Sequence, residues 1–215
     1  MKDIAIYGAG GFGKEVASMI LNKINAVKPT WNIVGFFDDG VEAGTAVSHF
    51  GKCLGGWETA NNWPTPLSIA FAIGSAAVLK KLVEKIDNTN IDYPNLIHPN
   101  CDFADEESVK MGRGNVIMKN VTFSCDVTIG DFNQFNSLSA LAHDVKVGSF
   151  NIFMPLTRVS GETVIGDSNF FGINAIILQQ MKIGNETRIG ANSVVMTKTK
   201  DGSLYMGNPA MRVKM

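Results

Sequence analysis

Three histidines occur in the 215 residues, and one of them stands where it can do chemistry. His143 is followed directly by Asp144. An imidazole titrates near neutral pH and can accept a proton, while an adjacent carboxylate orients the ring and stabilises its charged form. The bland alternative is an exposed surface pair. His49 lies in an irregular stretch and His98 precedes Pro99, so both read as structural or solvated. The three cysteines, Cys53, Cys101 and Cys125, form no C-x-x-C pair, and Cys125 reads as having no histidine neighbour. Neither a covalent nucleophile nor a metal cluster is expected, and the odd thiol count fits a reducing cytosol.

A second group of residues suits a phosphate. Ile4 to Tyr7 reads as a buried parallel strand, and Gly8 to Gly13 fits G-x-G-x-x-G ahead of a helix with Phe12, Val16, Met19, Ile20 and Ile24 on one face. A strand from Ile33 to Phe37 follows and ends in Asp38-Asp39. Strand, glycine turn, helix, strand and acid is the order of a nucleotide-binding βαβ unit. Leu67 to Ile73 reads as a further strand, Gly74-Ser75 as a turn, and Ala76 to Ile86 as a helix with Val78, Leu79, Leu82, Val83 and Ile86 inward. Gly74 thus falls at a strand's carboxyl end, where open α/β sheets bind ligands. Ile91 to Ile97 is expected as a last strand, and residues 40–66 as loop with one short strand. The unit lacks a second βαβαβ half, so a mononucleotide fits it better than a dinucleotide.

Beyond residue 105 one pattern organises the chain and must position His143. From Met111 to Val195 an apolar residue returns at every sixth position, fifteen times in succession. With 45% hydrophobic residues, chance would give this on the order of once in 10⁵. Met111, Ile129, Val147, Ile165 and Ile183, eighteen apart, are each followed by glycine, which suggests a tight corner. Six residues per face and eighteen per coil describe a triangular parallel β-helix with the rungs stacked inside. Small or polar residues two before the rungs (Thr157, Thr163, Ala175, Thr187, Ser193) suit a narrow corner. Asp105 and Asp201 fall on the rung phase and are expected to end the ladder. His143, two past rung Leu141, would project outward.

Composition narrows the partners. A net charge of −1 without a Lys/Arg block argues against nucleic-acid or membrane-surface binding. From Lys182 onward six basic residues face two acidic ones, which suits a polyanionic small ligand as well as a solvated tail. The chain runs from Met1 into a strand, so no signal peptide is expected, and its apolar runs are too short to span a bilayer.

Gly8 to Gly13, Asp38-Asp39, Leu96-Ile97-His98-Pro99, Ala142-His143-Asp144 and Gly207-Asn208-Pro209-Ala210 together resemble, over essentially the whole chain, the bacterial sugar acetyltransferases of the NeuD/PglD type. The resemblance implies a small Rossmann-like α/β domain over residues 1–97 and a left-handed parallel β-helix over 98–215. It implies a cytoplasmic, metal-free homotrimer with active sites between subunits, which acetylates a nucleotide-linked amino sugar from acetyl-CoA. His143 matches the family's catalytic base and Asp144 its acidic neighbour. Gly10, Gly11, Phe12, Asp38, Asp39, Gly74 and Asn136 match positions that hold the nucleotide sugar. Gly161, Ile173 and Ala191 match positions lining the pantetheine groove, with the basic C-terminus facing the cofactor's phosphates. The chain departs at Phe12, where the family's usual residue is histidine, and at Ile152, where some members carry a second histidine.

An oxidoreductase reading rests on the glycine turn alone and leaves the ladder unexplained. A γ-type carbonic anhydrase needs three histidine ligands, and only His143 lies on the ladder. A scaffold without activity accounts for the rungs but not for His143-Asp144. The alternative within the family is O-acetylation of a sialic acid or other sugar, since the same base can serve a hydroxyl.

Overall fold

The computed structural model describes residues 1–213, and its contacts divide the chain into two units, Met1–Pro99 and Asn100–Met215. In the first, the run from Ile4 to Tyr7 lies at the heart of a five-stranded parallel sheet. β1 (Lys2–Tyr7) is flanked by β2 (Trp31–Phe37) and β4 (Leu67–Phe71), with β3 (Cys53–Gly55) and β5 (Ile91–Asp92) at the edges, in the order β3-β2-β1-β4-β5. Central strands buried on both faces read as unbroken apolar runs, and every residue of β4 is buried.

α1 (Gly11–Met19) seats Val16, Ala17 and Met19 and continues through a π-turn, Ile20–Ile24, into α2 (Asn25–Val27). Phe12 and Ile24 are only half-buried. α3 (Trp57–Asn61) was not expected from the sequence, whereas β3 is the short strand foreseen between residues 40 and 66. α4 (Ala76–Lys85) buries Leu79 and Leu82, and Ile86 follows on the same stripe. Val78 sits one position off that stripe and is 47% exposed, against expectation. The anticipated strand Ile91 to Ile97 is two short pieces, Ile91–Asp92 and Leu96–Ile97, because Pro94 offers no N–H to a ladder.

The second unit is a left-handed parallel β-helix of three faces. Two-residue strands ending on Met111, Ile129, Val147, Ile165 and Ile183 form the first face. Those ending on Ile117, Phe135, Phe153, Phe171 and Ile189 form the second. Those ending on Phe123, Leu141, Val159, Ile177 and Val195 form the third. Every rung from Ile117 onward is at most 5% exposed. Identical side chains in register stack at the strand repeat, so Phe135, Phe153 and Phe171 lie face to face with centroids 4.5 and 4.6 Å apart. Beside them runs a buried amide column: Asn115, Asn133 and Asn151 each accept from the backbone and side-chain N–H groups of the asparagine one coil on.

Two expectations about the ladder are corrected. The corners turn at the third residue after each rung, where thirteen non-glycine residues spaced six apart from Asn120 to Asn192 have φ between 53° and 67°. The glycines that directly follow the first-face rungs serve a different purpose. A Cβ on Gly112 would lie 2.0 Å from Asp131 Oδ1 and 2.9 Å from the Gly130 carbonyl, so these glycines make room for the next coil and its side chain. Nor does the ladder end at Asp105 and Asp201. Phe103 pairs with Phe123, twenty residues on, and Ile189 pairs with Tyr205, sixteen on, so the coiling continues past both aspartates with a two-residue slip in phase.

Candidate active site

His143 and Asp144 are the last residues of a corner between the third face and the first. The corner is set by Asp144, whose φ of 58° is one that aspartate tolerates better than most residues. Hydrogen bonds to both neighbouring coils hold the backbone: Asp144 N–H donates to the Cys125 carbonyl (3.1 Å), and Glu162 N–H donates to the His143 carbonyl (3.0 Å). His143 Nδ1 lies 2.8 Å from Asp144 Oδ2, which leaves Nε2 as the ring's other polar atom. The two side chains are 59% and 56% exposed. A cleft of about 320 Å³ opens beside them, bounded by Asp144, Lys146, Glu162 and Val164.

The coil places Cys125 and Gly161 eighteen residues before and after His143, at the same corner register. Cys125 therefore has His143 at the same corner one coil on, which corrects the reading that it has no histidine neighbour. Asp126 and Glu162 likewise take the corner position of Asp144 one coil away on either side, and Glu162 accepts from Gln180 Nε2 (3.2 Å). Of these only Gly161 was read from the sequence as a site residue, although reading eighteen residues either side of His143 would have found them all.

The other expected residues of this unit lie elsewhere. Asn136 follows rung Phe135 of the second face, and its Nδ2 donates to the Phe153 carbonyl (3.2 Å). Ile173, 48% exposed, and Ala191, also exposed, stand one above the other at the corner between the second and third faces. A single chain thus brings His143, Asp144 and Gly161 together but puts Asn136, Ile173 and Ala191 along another edge of the prism. Ile152 is an outward position of the second face and is 1% exposed. Lys182, Arg188, Lys198, Lys200 and Arg212 are described, with the Arg188 guanidinium 4.6 Å from the Phe170 ring centre, while Lys214 lies outside the described residues.

In the first unit, strand order reverses between β1 and β4, and the turns that leave them diverge there. Gly10, Gly11 and Gly74 are exposed, and nothing lies within 4 Å of where a Cβ would be on any of them. α1 begins at this turn with no side chain capping it, so its first N–H groups suit an anion. Gly13 lets the helix sit directly on the turn, since a Cβ there would be 1.9 Å from the Gly8 carbonyl oxygen. Phe12 is half-buried on the first turn of α1.

The two aspartates shape this rim. Asp38 accepts from the Ala9 N–H (2.8 Å) and the Gly40 N–H (2.9 Å), tying the glycine turn to the loop after β2. Asp39 accepts from the Tyr7 hydroxyl (2.8 Å) and from the N–H of Trp57, the first residue of α3 (2.9 Å). Burial, and then the Asp39 carboxylate, push the Tyr7 phenol well above its ordinary range.

Among the described residues no group of His, Cys, Asp and Glu is gathered as for a metal ion, and no helix is long and apolar enough to cross a membrane. Buried His98 and exposed His49, which contacts Ser48 and Phe50, belong to the first unit and stand apart from His143 in the sequence.

Residues 3–86 match the family described as the PglD N-terminal domain. No curated protein sequence matches the chain significantly. Among solved structures, the acetyltransferase domain of PglB from Neisseria gonorrhoeae FA1090 is similar at 27% identity and TM-score 0.88, over 99% of this chain and 100% of that chain. A second structure of that domain is a complex with acetyl coenzyme A, with 27% identity and TM-score 0.87 over 99% of each chain. WeeI from Acinetobacter baumannii AYE is 26% identical with TM-score 0.87, over 99% of this chain and 100% of that chain. PerB from Caulobacter crescentus, in complex with CoA and GDP-perosamine, has TM-score 0.83 over 100% of this chain and 98% of that chain. At 24% identity its likeness is one of fold.

Proposed function

We propose that this chain, an acetyl-CoA-dependent sugar acetyltransferase of the NeuD/PglD type, N-acetylates a nucleotide-linked 4-amino sugar with His143 as its general base. The observation that carries the reading is the His143–Asp144 pair: with Nδ1 held at 2.8 Å by the carboxylate, Nε2 is the atom left to receive a proton. As the acceptor amine attacks the thioester carbon, Nε2 takes the proton that the nitrogen must lose. The C–N bond forms, the C–S bond breaks, and the proton leaves with the thiolate as CoA. Asp144 stabilises the imidazolium in the interval.

The first unit supplies the nucleotide's place. The bare turn of Gly10 and Gly11 and the start of α1 suit its phosphates, Gly74 borders the same switch point, and Asp38 and Asp39 hold the rim in shape. On the donor side, Gly161, Ile173 and Ala191 suit pantetheine, and the basic residues after Lys182 suit its phosphates. Since His143 and the Ile173–Ala191 edge lie at different corners, a complete site takes one corner from each of two copies, as in a homotrimer. Holding both reactants in that groove replaces a bimolecular encounter by a local one.

The test is CoA release, followed with a thiol reagent, from acetyl-CoA and a panel of UDP-, dTDP- and GDP-linked 4-amino sugars, with free and CMP-linked sialic acid alongside. Turnover on an amino sugar that collapses in His143→Ala supports the reading. Turnover on sialic acid alone would replace it with O-acetylation.

A further inference from the structure

We propose that Gly161 is a positioning residue: a bare patch of backbone against which the His143 imidazole rests. This role rests on the reading of His143 as the base. A Cβ built on Gly161 would lie 2.6 Å from both Cε1 and Nε2 of His143 and 3.1 Å from Nδ1. The whole Nδ1–Cε1–Nε2 side of the ring therefore lies against this one residue.

The backbone itself does not call for glycine here. Gly161 is not among the residues of positive φ, and the left-handed corner falls on Glu162 after it. Its equivalents at six-residue spacing, from Arg113 to Ala191, include Cys125, Ser137, Pro155, Ile173 and Gln179, and none of the others is glycine. The missing side chain corresponds to the one place where an imidazole occupies the space.

Nor can the floor retreat. Glu162 N–H donates to the His143 carbonyl (3.0 Å), and Gln180 N–H donates to the Gly161 carbonyl (2.9 Å), so the coils on both sides fix the backbone. An added methyl must be relieved by the ring, which has to move from 2.6 Å to between 3.0 Å and the 3.4 Å of ordinary contact, about 0.4 to 0.8 Å. That movement acts on the 2.8 Å bond to Asp144 and on the aim of Nε2. A misplacement of about 1 Å can cost a reaction about a hundredfold.

The experiment compares Gly161→Ala with the parent protein in two ways. In steady state, kcat falls about ten- to a hundredfold, the loss expected of a displaced base, whatever a pantetheine contact of Gly161 adds to KM. In ligand-free protein, side-chain NMR of the three histidines, with His143 assigned by its loss in His143→Ala, shows the Nδ1–H signal of the Asp144 bond disappear. An unchanged kcat, or an unaltered His143 signal, would overturn the proposal and leave Gly161 a cofactor contact alone. A parent protein that acetylates nothing would defeat the assigned activity, while the NMR comparison would still decide the role of Gly161. Should Gly161→Ala fail to fold, the double variant His143→Ala/Gly161→Ala, which removes the obstructing ring, is expected to fold like His143→Ala. Its failure would likewise refute the idea.

Discussion

The separation of His143 from Ile173 onto different prism corners can be put to a quantitative test. His143→Ala removes the base, and Ile173→Glu places a charge on the opposite edge, at a position 48% exposed and so tolerant of the change in a single chain. Each variant alone should be inactive. Co-expression with two different tags and purification through both leaves only rings that contain both kinds of protomer. If every site joins the His143 corner of one copy to the Ile173 edge of the next, a ring of three has one of its three junctions made from two intact halves, whichever variant is in excess. Activity should then return to about one third of the parent value per ring, against about one half for a two-fold ring. The assay is the CoA-release rate normalised to ring concentration. Recovery no greater than the sum of the separate variants would mean that both edges serve a site within one chain, and the shared-groove reading would be wrong.

Two further outcomes follow from geometry inside single units. Asn151→Ala strips the acceptor from the backbone and side-chain N–H groups of Asn169, both at 2.9 Å and buried. At about 1 to 3 kcal/mol for each unsatisfied donor, the prism should lose about 2 to 6 kcal/mol, read as a lower urea midpoint at unchanged slope. Tyr7 keeps its proton in the folded unit to a higher pH than the ordinary 10.0, because burial and Asp39 oppose its ionisation. Above pH 10 the unfolded chain loses that proton and the folded one retains it, so stability is full below pH 10 and declines as pH rises beyond it. Tyr7→Phe should flatten this alkaline decline in thermal melts, and an unchanged slope would assign the decline to other groups.

The rungs were legible because burial imposes a strict period on apolar side chains, and nothing else in the chain competes with it. The true corner residues were not. Leu138, Leu156, Phe132 and Phe150 hold left-handed conformations that their composition does not advertise, imposed by the coil's closure. The first-face glycines were located correctly but for the wrong reason, since crowding from a residue eighteen positions on is invisible to local turn rules. In the first unit, the strands and α1 followed from apolar runs, while α3 was hidden because its start depends on Asp39, eighteen residues earlier. The pair His143–Asp144 could be read directly. Its contact with Gly161 required the coil period as well as the motif.

The constant offset of eighteen also dictates how such a chain can fold. Each coil closes a loop of the same length onto the one before it, at an entropic cost of about 2.6 kcal/mol beyond a constant, so no late step faces a larger search than an early one. Growth can proceed as a zipper once two coils have met, with later coils added on a ready-made template. The two-residue slips at Phe103 and Tyr205 then break the period at both ends, and at the carboxyl end Met211–Val213 folds back antiparallel on Leu204–Met206 in place of a further coil.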